Sequence, residues 1–377
     1  MKKIVLCAAL LGSWPALGLA QTTQELVNDG KNTENVTTQS MGYDRKSYSP
    51  LKQITKANVK RLVPIWNSSL MNDSGELAQP TVYNGVMYVI NGKWSFAIDI
   101  DTGRQIWRTP VKLEPNMPPR LNYTRGAATI YNGKVFRVTI DNHVLALDMK
   151  TGKEVWKATG RLLDMAYGTP SIMEAAGRTD LVFALPDEVW GMNPDTGKLR
   201  WYAVHELPGN ISPCLIQDGD VAYLFGGFPT QGSAAIKLGG KNDVTATNIL
   251  WNSKSSSYVP TPILHDGHLY VVNDQGFALC MEAKTGKDIY RERVIDTGGG
   301  RGRGKPFYAS PVLIGDRLYC VSRKGGTYVI AAKPIYQKLA QNIIQSDETQ
   351  FNGTPAIVGD RMILRSDWGV YCIAGTD

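Results

Sequence analysis

The sequence has 377 residues, of which 43% are hydrophobic and 20% are charged. This composition excludes a disordered tail, a collagen-like chain and a disulfide-dense miniprotein, because the chain can bury a large core and carries few cysteines. The excess of 41 basic over 34 acidic residues is mild and scattered, so it does not indicate a nucleic-acid partner.

Residues 1–20 have the pattern of a secretory signal peptide. A short cationic start, Met1-Lys2-Lys3, precedes an apolar run that ends in small residues before Gln21. Pro15 and the shortness of the run argue against a membrane anchor. We therefore expect cleavage near Ala20 and a soluble periplasmic or secreted protein.

The next segment, residues 21–50, is rich in Asn, Thr, Gln and Ser and has no hydrophobic periodicity. We predict that it forms an N-terminal arm, either over one face of the domain or as a plug at the bottom. The remaining residues, 51–377, are predicted to form a single domain.

A repeated unit organises that domain. Each unit begins with a small residue or proline before an apolar strand, and successive units are 42 to 49 residues apart. The opening residues are Pro80, Ala128, Pro170, Pro213, Pro262, Pro311 and Pro355. Turns such as Asn84-Gly85 and Asp266-Gly267, flanked by β-branched or aromatic residues, predict hairpins within each unit.

This period is typical of a four-stranded propeller blade. The seven opening strands predict an all-β fold, a seven-bladed β-propeller of four-stranded antiparallel blades. The last unit ends before its outer strand, and we expect the N-terminal strand 61–66 to close the ring there, which would cover both edges. An eight-bladed ring is the alternative, and it would need a further hairpin within residues 233–251.

Most units end in a Thr-Gly turn followed by an aromatic residue, as in Thr102-Gly103 before Trp107. We interpret these tryptophans as structural: they pack between neighbouring sheets, and the N–H group of each meets a backbone carbonyl. The tryptophans are Trp66, Trp107, Trp156, Trp201 and Trp251.

The cysteines and histidines show no spacing typical of a metal site. Cys214, Cys280, Cys320 and Cys372 lie in apolar segments, and we expect buried free thiols, with pairing as the alternative. There is no Cys-x-x-Cys-His sequence, which excludes covalently attached c-type haem.

The unit Ala-x-Asp-x-x-Thr-Gly-x-x-x-Trp, in residues 97–107 and 146–156, resembles the blade-docking motif of pyrroloquinoline-quinone (PQQ)-type propellers. The resemblance covers nearly all of the chain after residue 20. Residues 48–51, 54–60 and 62–66 are similar to the first strand of quinoprotein alcohol dehydrogenases.

That resemblance implies a quinone with a calcium ion at the channel mouth, and three positions match cofactor-binding residues of the enzymes. Glu76 resembles the acidic residue of the first blade, although it stands four rather than three residues before Pro80. Arg125 resembles an arginine that pairs with a quinone carboxylate, and Thr139 resembles a threonine that bonds the same cofactor. The structural alternatives are a solvated acid, an inter-blade ion pair and an ordinary strand residue.

The sequence also departs from the enzymes. Pro119-Arg120 stand where they have adjacent cysteines, and neither their calcium-binding Ser-Gly-Ala-Glu segment nor their catalytic Asp loop has a counterpart. Catalytic residues and metal ligands therefore stay unassigned. We expect a monomeric binding platform for an unknown protein partner or small ligand, and the alternative is a reduced PQQ-dependent alcohol or sugar dehydrogenase.

Ligands of propellers gather at the loops that enter the inner strands. The side chains predicted to line this mouth are Tyr123, Tyr167, Asn210, Tyr258, Tyr308 and Asn352. They suit a flat quinone, a sugar or a peptide, or else they only seal a narrow channel. Arg301, Arg303 and Lys305, in a glycine-rich loop, form either an anion-binding patch or a solvated, mobile loop.

Overall fold

The computed structural model describes residues 21–32, 34–39, 42, 48–49, 66, 68–71, 80–113, 125–160, 166–295, 305–358, 361–366 and 370–374. Helices in these ranges are short: α1 (Thr23–Val27), one 3₁₀ turn (Asp29–Lys31) and α2 (Thr245–Asn248). None of the described helices has the length and apolar character needed to cross a lipid bilayer.

The strands of the described ranges form seven sheets, numbered here as blades in chain order. After β1 (Tyr48–Ser49), blade 1 contains β2 (Thr81–Tyr83), β3 (Val86–Ile90), β4 (Trp94–Asp99) and β5 (Gln105–Pro110). Blade 2 contains β6 (Arg125–Tyr131), β7 (Lys134–Val138), β8 (His143–Asp148) and β9 (Glu154–Thr159). Blade 3 contains β10 (Ser171–Ala175), β11 (Arg178–Ala184), β12 (Glu188–Met192) and β13 (Leu199–Val204).

Blade 4 contains β14 (Ile216–Asp218), β15 (Val221–Gly226) and β16 (Gly232–Lys237), and, after the short β17 (Asn242–Asp243), β18 (Ile249–Ser253). Blade 5 contains β19 (Ile263–His265), β20 (His268–Val272), β21 (Phe277–Glu282) and β22 (Asp288–Arg293). Blade 6 contains β23 (Val312–Ile314), β24 (Arg317–Val321), β25 (Thr327–Ala331) and β26 (Lys338–Asn342). Blade 7 contains β27 (Ala356–Val358), β28 (Arg361–Arg365) and β29 (Val370–Ala374).

Consecutive strands of each blade pair antiparallel, in chain order from the inner edge outward. The predicted turns join the first strand to the second: Asn84 and Gly85 have φ angles of 48° and 76°, and Asp266 and Gly267 have 48° and 73°. Positive φ at both central residues is the geometry that matches the twist of a two-residue hairpin. The predicted all-β, seven-bladed propeller is confirmed.

The hydrophobic core is divided among the interfaces between successive blades. Each of six buried clusters joins the facing sides of two neighbouring sheets. Between blades 1 and 2, for example, Tyr88 and Ala97 pack with Ile130 and Leu147. Because the middle strands of the blades are buried on both faces, strands such as β8 and β25 carry apolar residues almost continuously, whereas outer strands such as β26 are exposed.

Four tryptophans dock one blade on the next, as predicted. Each indole N–H donates to a carbonyl oxygen just before the following Thr-Gly turn, at 2.8 to 3.2 Å. The glycine of that turn lies directly on the indole, so that a Cβ atom on Gly152 would come within 2.6 Å of Trp107. The four pairs are Trp66 with Ile100, Trp107 with Met149, Trp156 with Pro194, and Trp251 with Ala283.

Trp201 departs from this pattern. It is fully buried between blades 3 and 4, but its N–H donates to the carboxylate of Asp180 at 2.7 Å and not to a backbone carbonyl. The reason is that blade 4 has no Thr-Gly turn at the place where the indole would dock. That place is taken by Gly239 and Gly240, which precede β17 and α2.

The segment 233–251 does not form an eighth blade in the described structure. β16 and β18 pair with each other inside blade 4, while β17 pairs in parallel with β13 and extends blade 3 to five strands. α2 returns the chain from β17 to β18. The segment does not follow the regular repeat because β17 and α2 are inserted before the outer strand of blade 4.

The N-terminal strand that the structure describes in the C-terminal blade is β1, and it lies at the inner edge of that blade. β1 pairs in parallel with β27, which is the inner strand of blade 7. Residues 61–65, predicted to form the outer strand, lie outside the described residues. Trp66, which follows them, makes with blade 1 the same docking contact that Trp107 makes with blade 2.

The described part of residues 21–50 lies along the inner strands. Val36 forms a β-bridge with Val82 of β2, and Leu26 packs between blades 2 and 3. Asp29 is buried and accepts the N–H groups of Thr37 and Thr38, at 2.8 and 2.9 Å. The described part of the arm therefore lies on the channel side of the ring, against the inner strands.

Candidate binding site at the channel mouth

Two sets of loops meet at one end of the ring. One set connects the outer strand of a blade to the inner strand of the next, and the other connects the second and third strands within a blade. Backbone hydrogen bonds join the two sets, from Gly227 N–H to Asn210 O at 3.0 Å and from Arg323 N–H to Pro306 O at 2.8 Å. We call this end of the ring the mouth.

Five side chains from blades 4 and 5 and from the connections that precede and follow them meet at the mouth, and we call them the Lys305 cluster: Asn210, Phe228, Tyr258, Asp274 and Lys305. The Lys305 Nζ atom lies 3.7 Å from the centroid of the Tyr258 ring and 5.5 Å from that of the Phe228 ring. The two rings are 5.5 Å apart. Asn210 Nδ2 donates to the Tyr258 hydroxyl oxygen at 2.9 Å and fixes the ring that faces the ammonium.

Asp274 supplies the negative charge of the cluster. It is 2% exposed, and its Oδ2 atom lies 3.4 Å from Lys305 Nζ. Its Oδ1 atom is buried and has no hydrogen-bond partner among the described residues. A buried carboxylate oxygen without a donor is energetically unfavourable, so this atom is suited to receive one.

The loop that carries Asp274 is held rigidly by its neighbour. Asn273 Oδ1 accepts the N–H groups of Gln275 and Phe277, and its amide donates to Ser256 O. Asn91 makes the equivalent capping bonds in blade 1, accepting from Lys93 and Trp94. The position of the carboxylate is therefore set by a turn that the fold repeats.

A second group, the Arg323 cluster, lies at the blade 6 part of the mouth and contains Tyr308, Arg323, Gln350 and Asn352. The Arg323 guanidinium lies over the Tyr308 ring, 4.5 Å from its centroid. Its Nε donates to Asn352 Oδ1 at 2.8 Å, and its Nη2 donates to Gln350 Oε1. Both clusters thus place a cation on a tyrosine that precedes an inner strand.

The structure brings together four of the predicted mouth residues, in two pairs. Asn210 bonds Tyr258 directly, and Tyr308 is linked to Asn352 through Arg323. Tyr167 is exposed, and its backbone N–H donates to Ile211 O at 2.8 Å. Tyr123 lies outside the described residues.

Sequence reasoning missed Phe228, Asp274 and Arg323. It considered the residues before each inner strand, whereas these three lie in loops between second and third strands. Lys305 was assigned to an anion-binding patch or a mobile loop, but its ammonium faces a carboxylate and a tyrosine ring. Residues 296–304, which contain Arg301 and Arg303, lie outside the described residues.

The three positions predicted to bind a quinone are described unevenly. Glu76 lies outside the described residues, and of Arg125 the backbone alone is described, as the first residue of β6. Thr139 is 1% exposed, and its hydroxyl donates to Asp141 Oδ1 at 2.5 Å and accepts the N–H of His143 at 3.2 Å. Thr139 would have to give up the bond to Asp141 to donate to a cofactor, so its cofactor role stays a prediction.

The described residues contain no group of three His, Cys, Asp or Glu side chains placed to hold a metal ion. Cys280 and Cys320 are buried free thiols, as expected, and Cys214 is a half-buried free thiol. Burial raises the pKa of the Cys280 thiol to about 11, which disfavours the thiolate. The Cys372 side chain lies outside the description.

His205, beside the mouth, is 3% exposed, and its Nδ1 accepts the N–H of Leu207 at 3.2 Å. Burial lowers its pKa from 6.5 to about 4. The unfolded chain therefore binds a proton in a pH range where the folded protein keeps His205 neutral. We expect the free energy of unfolding to fall by up to about 3 kcal/mol as the pH drops from about 6.5 to 4.

Urea unfolding at several pH values measures this effect. His205→Gln should flatten the slope between pH 6.5 and 4. The carboxylates with lowered pKa, such as Asp99 and Asp148, lose their contribution only as the pH falls below about 3.8. An unchanged slope in His205→Gln would contradict the assignment.

Comparison with known proteins shows which family this propeller belongs to. Residues 63–292 match the family model described as "Outer membrane protein assembly factor BamB". The chain belongs to the PQQ-like β-propeller family. The resemblance seen in the docking motifs is thereby confirmed. The chain is a PQQ-like propeller related to BamB and to quinoprotein alcohol dehydrogenases.

Among curated proteins, this PQQ-like propeller is 34% identical over 218 residues to the 1-butanol dehydrogenase (quinone) of Thauera butanivorans, covering 53% of this chain and 35% of that protein. It is 32% identical over 214 residues to the quinoprotein ethanol dehydrogenase of Pseudomonas aeruginosa, covering 52% and 34%. The chain thus spans about a third of the length of these curated relatives.

Among solved structures, the quinohemoprotein alcohol dehydrogenase ADHIIG of Pseudomonas putida HK5 has a TM-score of 0.70 at 16% identity, covering 94% of this chain and 72% of that one. BamB from Moraxella catarrhalis has a TM-score of 0.57 at 14% identity, covering 78% and 81%. At these identities the likeness concerns the fold alone.

Proposed function

We propose that this PQQ-like propeller is an exported binding platform that engages a protein partner at its mouth. The observation that carries the proposal is the pair of clusters there. In each, a cation lies against a tyrosine ring, and a neighbouring amide or carboxylate holds the cation or the ring in place. Aromatic and arginine side chains in rigidly positioned loops are the residues that dominate protein–protein contacts. The match to the BamB family model supports a platform role.

The clusters suit a protein surface better than a small enclosed ligand. Phe228 is 48% exposed and Tyr167 is 44% exposed, so large apolar rings face solvent at this end of the ring. Lys324, next to Arg323 in the chain, and Asn352 of the Arg323 cluster are exposed as well. An open rim of aromatics bordered by polar groups is the usual composition of a contact surface.

Photo-crosslinking in the native host tests this proposal. A crosslinking amino acid at Tyr167 or Lys324 should yield one discrete adduct, and the same residue at Asp266, in a hairpin turn at the opposite end, should yield none. Arg323→Ala should weaken the adduct. Arg317→Ala should not, because Arg317 lies at the opposite end of β24. Equal crosslinking at Asp266, or none at the mouth, would contradict the proposal.

A second candidate, a reduced PQQ-dependent dehydrogenase, is favoured by the sequence identity to the quinone dehydrogenases. In it Arg125 and Thr139 would hold the quinone beside Glu76. Titration with PQQ, with and without calcium, and turnover with an artificial electron acceptor decide this case. Calcium-dependent turnover that Arg125→Ala abolishes would establish the enzyme, and turnover equal to that of a protein-free control would leave the binding platform.

A further inference from the structure

The Lys305 cluster has the composition of a cation-binding cage. Two aromatic rings and one buried carboxylate converge on a single ammonium group, at 3.7, 5.5 and 3.4 Å. Aromatic faces and a desolvated carboxylate both attract a positive charge. In the free protein, the cation in this cage is the chain's own Lys305.

Lys305 satisfies the cage incompletely. Its ammonium lies 3.4 Å from Oδ2 of Asp274, longer than a good charge-assisted hydrogen bond, and Oδ1 is buried and has no donor in the part of the chain that the structure describes. An ammonium is a compact point charge that does not match the two oxygens of a carboxylate. The Lys305 side chain is also one-third exposed, at 33%, so its head group is accessible to solvent.

A guanidinium would fit the same atoms better. Its planar fork donates two parallel N–H bonds, one to each oxygen of a carboxylate, and its flat face stacks on aromatic rings. An anion would instead meet the buried charge of Asp274. A quaternary ammonium has no N–H group to give to Oδ1.

We propose that the Lys305 cluster is a guanidinium site, and that an arginine side chain of the partner protein displaces Lys305 from it. This inference rests on the proposed function for the identity of the ligand, since an arginine reaches the mouth only if a protein docks there. Lys305 acts as an internal competitor that keeps Asp274 paired until the partner binds.

Methylguanidinium is the probe, because it tests the cage without the partner. Binding to the purified protein is followed by nuclear magnetic resonance of Tyr258 and Phe228 and by calorimetry. Lys305→Ala should bind methylguanidinium at least about tenfold more tightly than the unaltered protein, as expected when a competitor that fills the site about nine-tenths of the time is removed. Methylammonium should gain less, and tetramethylammonium should bind more weakly than methylguanidinium.

The double variant Lys305→Ala with Asp274→Asn should lose the gained affinity, because the amide cannot accept both N–H bonds. Thermal unfolding checks that each variant is folded, and Lys305→Met, which keeps the apolar stem, replaces Lys305→Ala if the alanine variant does not fold. Equal affinity with and without Lys305, or with and without the Asp274 carboxylate, would overturn the proposal.

The two proposals can fail separately. If methylguanidinium binds as expected while crosslinking finds no partner, the cage stands and the protein platform fails. If a partner crosslinks at the mouth but Lys305→Ala gains no affinity for methylguanidinium, the platform stands and the guanidinium site is wrong.

Discussion

Gly152→Ala is expected to destabilise the protein far more than Gly133→Ala, although both glycines lie in blade 2 with φ angles of 68° and 72°. A Cβ atom on Gly152 would come within 2.6 Å of Trp107 and of Thr109 Oγ1, whereas one on Gly133 would meet nothing within 4 Å. Both variants bear the strain of a left-handed residue, and only Gly152→Ala also forces the indole out of its place.

We expect a loss of about 1 kcal/mol in the free energy of unfolding for Gly133→Ala, from backbone strain alone. For Gly152→Ala we expect about 3 kcal/mol, because overpacking at a rigid contact is added to that strain. Urea unfolding followed by far-ultraviolet circular dichroism measures both variants. Losses of the same size would show that the indole yields easily and that the Thr-Gly turn does not fix the blade interface.

Asp180→Ala is the second substitution with a large expected effect. The Asp180 carboxylate accepts the Trp201 N–H at 2.7 Å and pairs with Arg178 at 2.9 Å and Arg200 at 2.5 Å. Its removal leaves a fully buried indole N–H without an acceptor and two arginines without a counter-ion. Because both arginines are partly exposed, we expect a loss of about 3 kcal/mol, the lower end for breaking a buried pair.

Asp195→Ala is the matched control for that substitution. Asp195 also pairs across a short distance, 2.8 Å to Lys134, but its side chain is 54% exposed. Water replaces such a pair easily, so we expect a loss below about 1 kcal/mol. Trp201→Phe keeps a ring but removes the N–H, and its loss in the free energy of unfolding should lie between those of the two aspartate variants. A loss in Asp180→Ala as small as in Asp195→Ala would show that Trp201 does not depend on the carboxylate.

The repeated elements were predictable because their causes are local. An Asn-Gly pair favours positive φ whatever surrounds it, and a Thr-Gly turn followed by Trp carries both halves of the docking contact in every copy. Trp201 shows where this reasoning ends. Its neighbours resemble those of Trp107, but its acceptor is Asp180 of its own blade, because the following blade has no Thr-Gly turn where the indole would dock.

The same limit applies to the candidate site. Tyr258, Asn210, Tyr308 and Asn352 could be named because each stands just before an inner strand, a position that the repeat reveals. Asp274 and Arg323 stand in loops between second and third strands, which differ in sequence from blade to blade. Nothing in the chain indicates that Lys305 reaches back over Tyr258, since the distance between them in space is set by how two blades pack.

The sequence by itself determined the four-stranded blade and favoured a ring of seven blades over one of eight, because turn chemistry and hydrophobic period act over a few residues. The tertiary structure alone decided that β1 joins the inner edge of blade 7, that the arm follows the inner strands, and that Asp274 lies under Lys305. These contacts join residues far apart in the chain, and their energies exist only after the blades have closed into a ring.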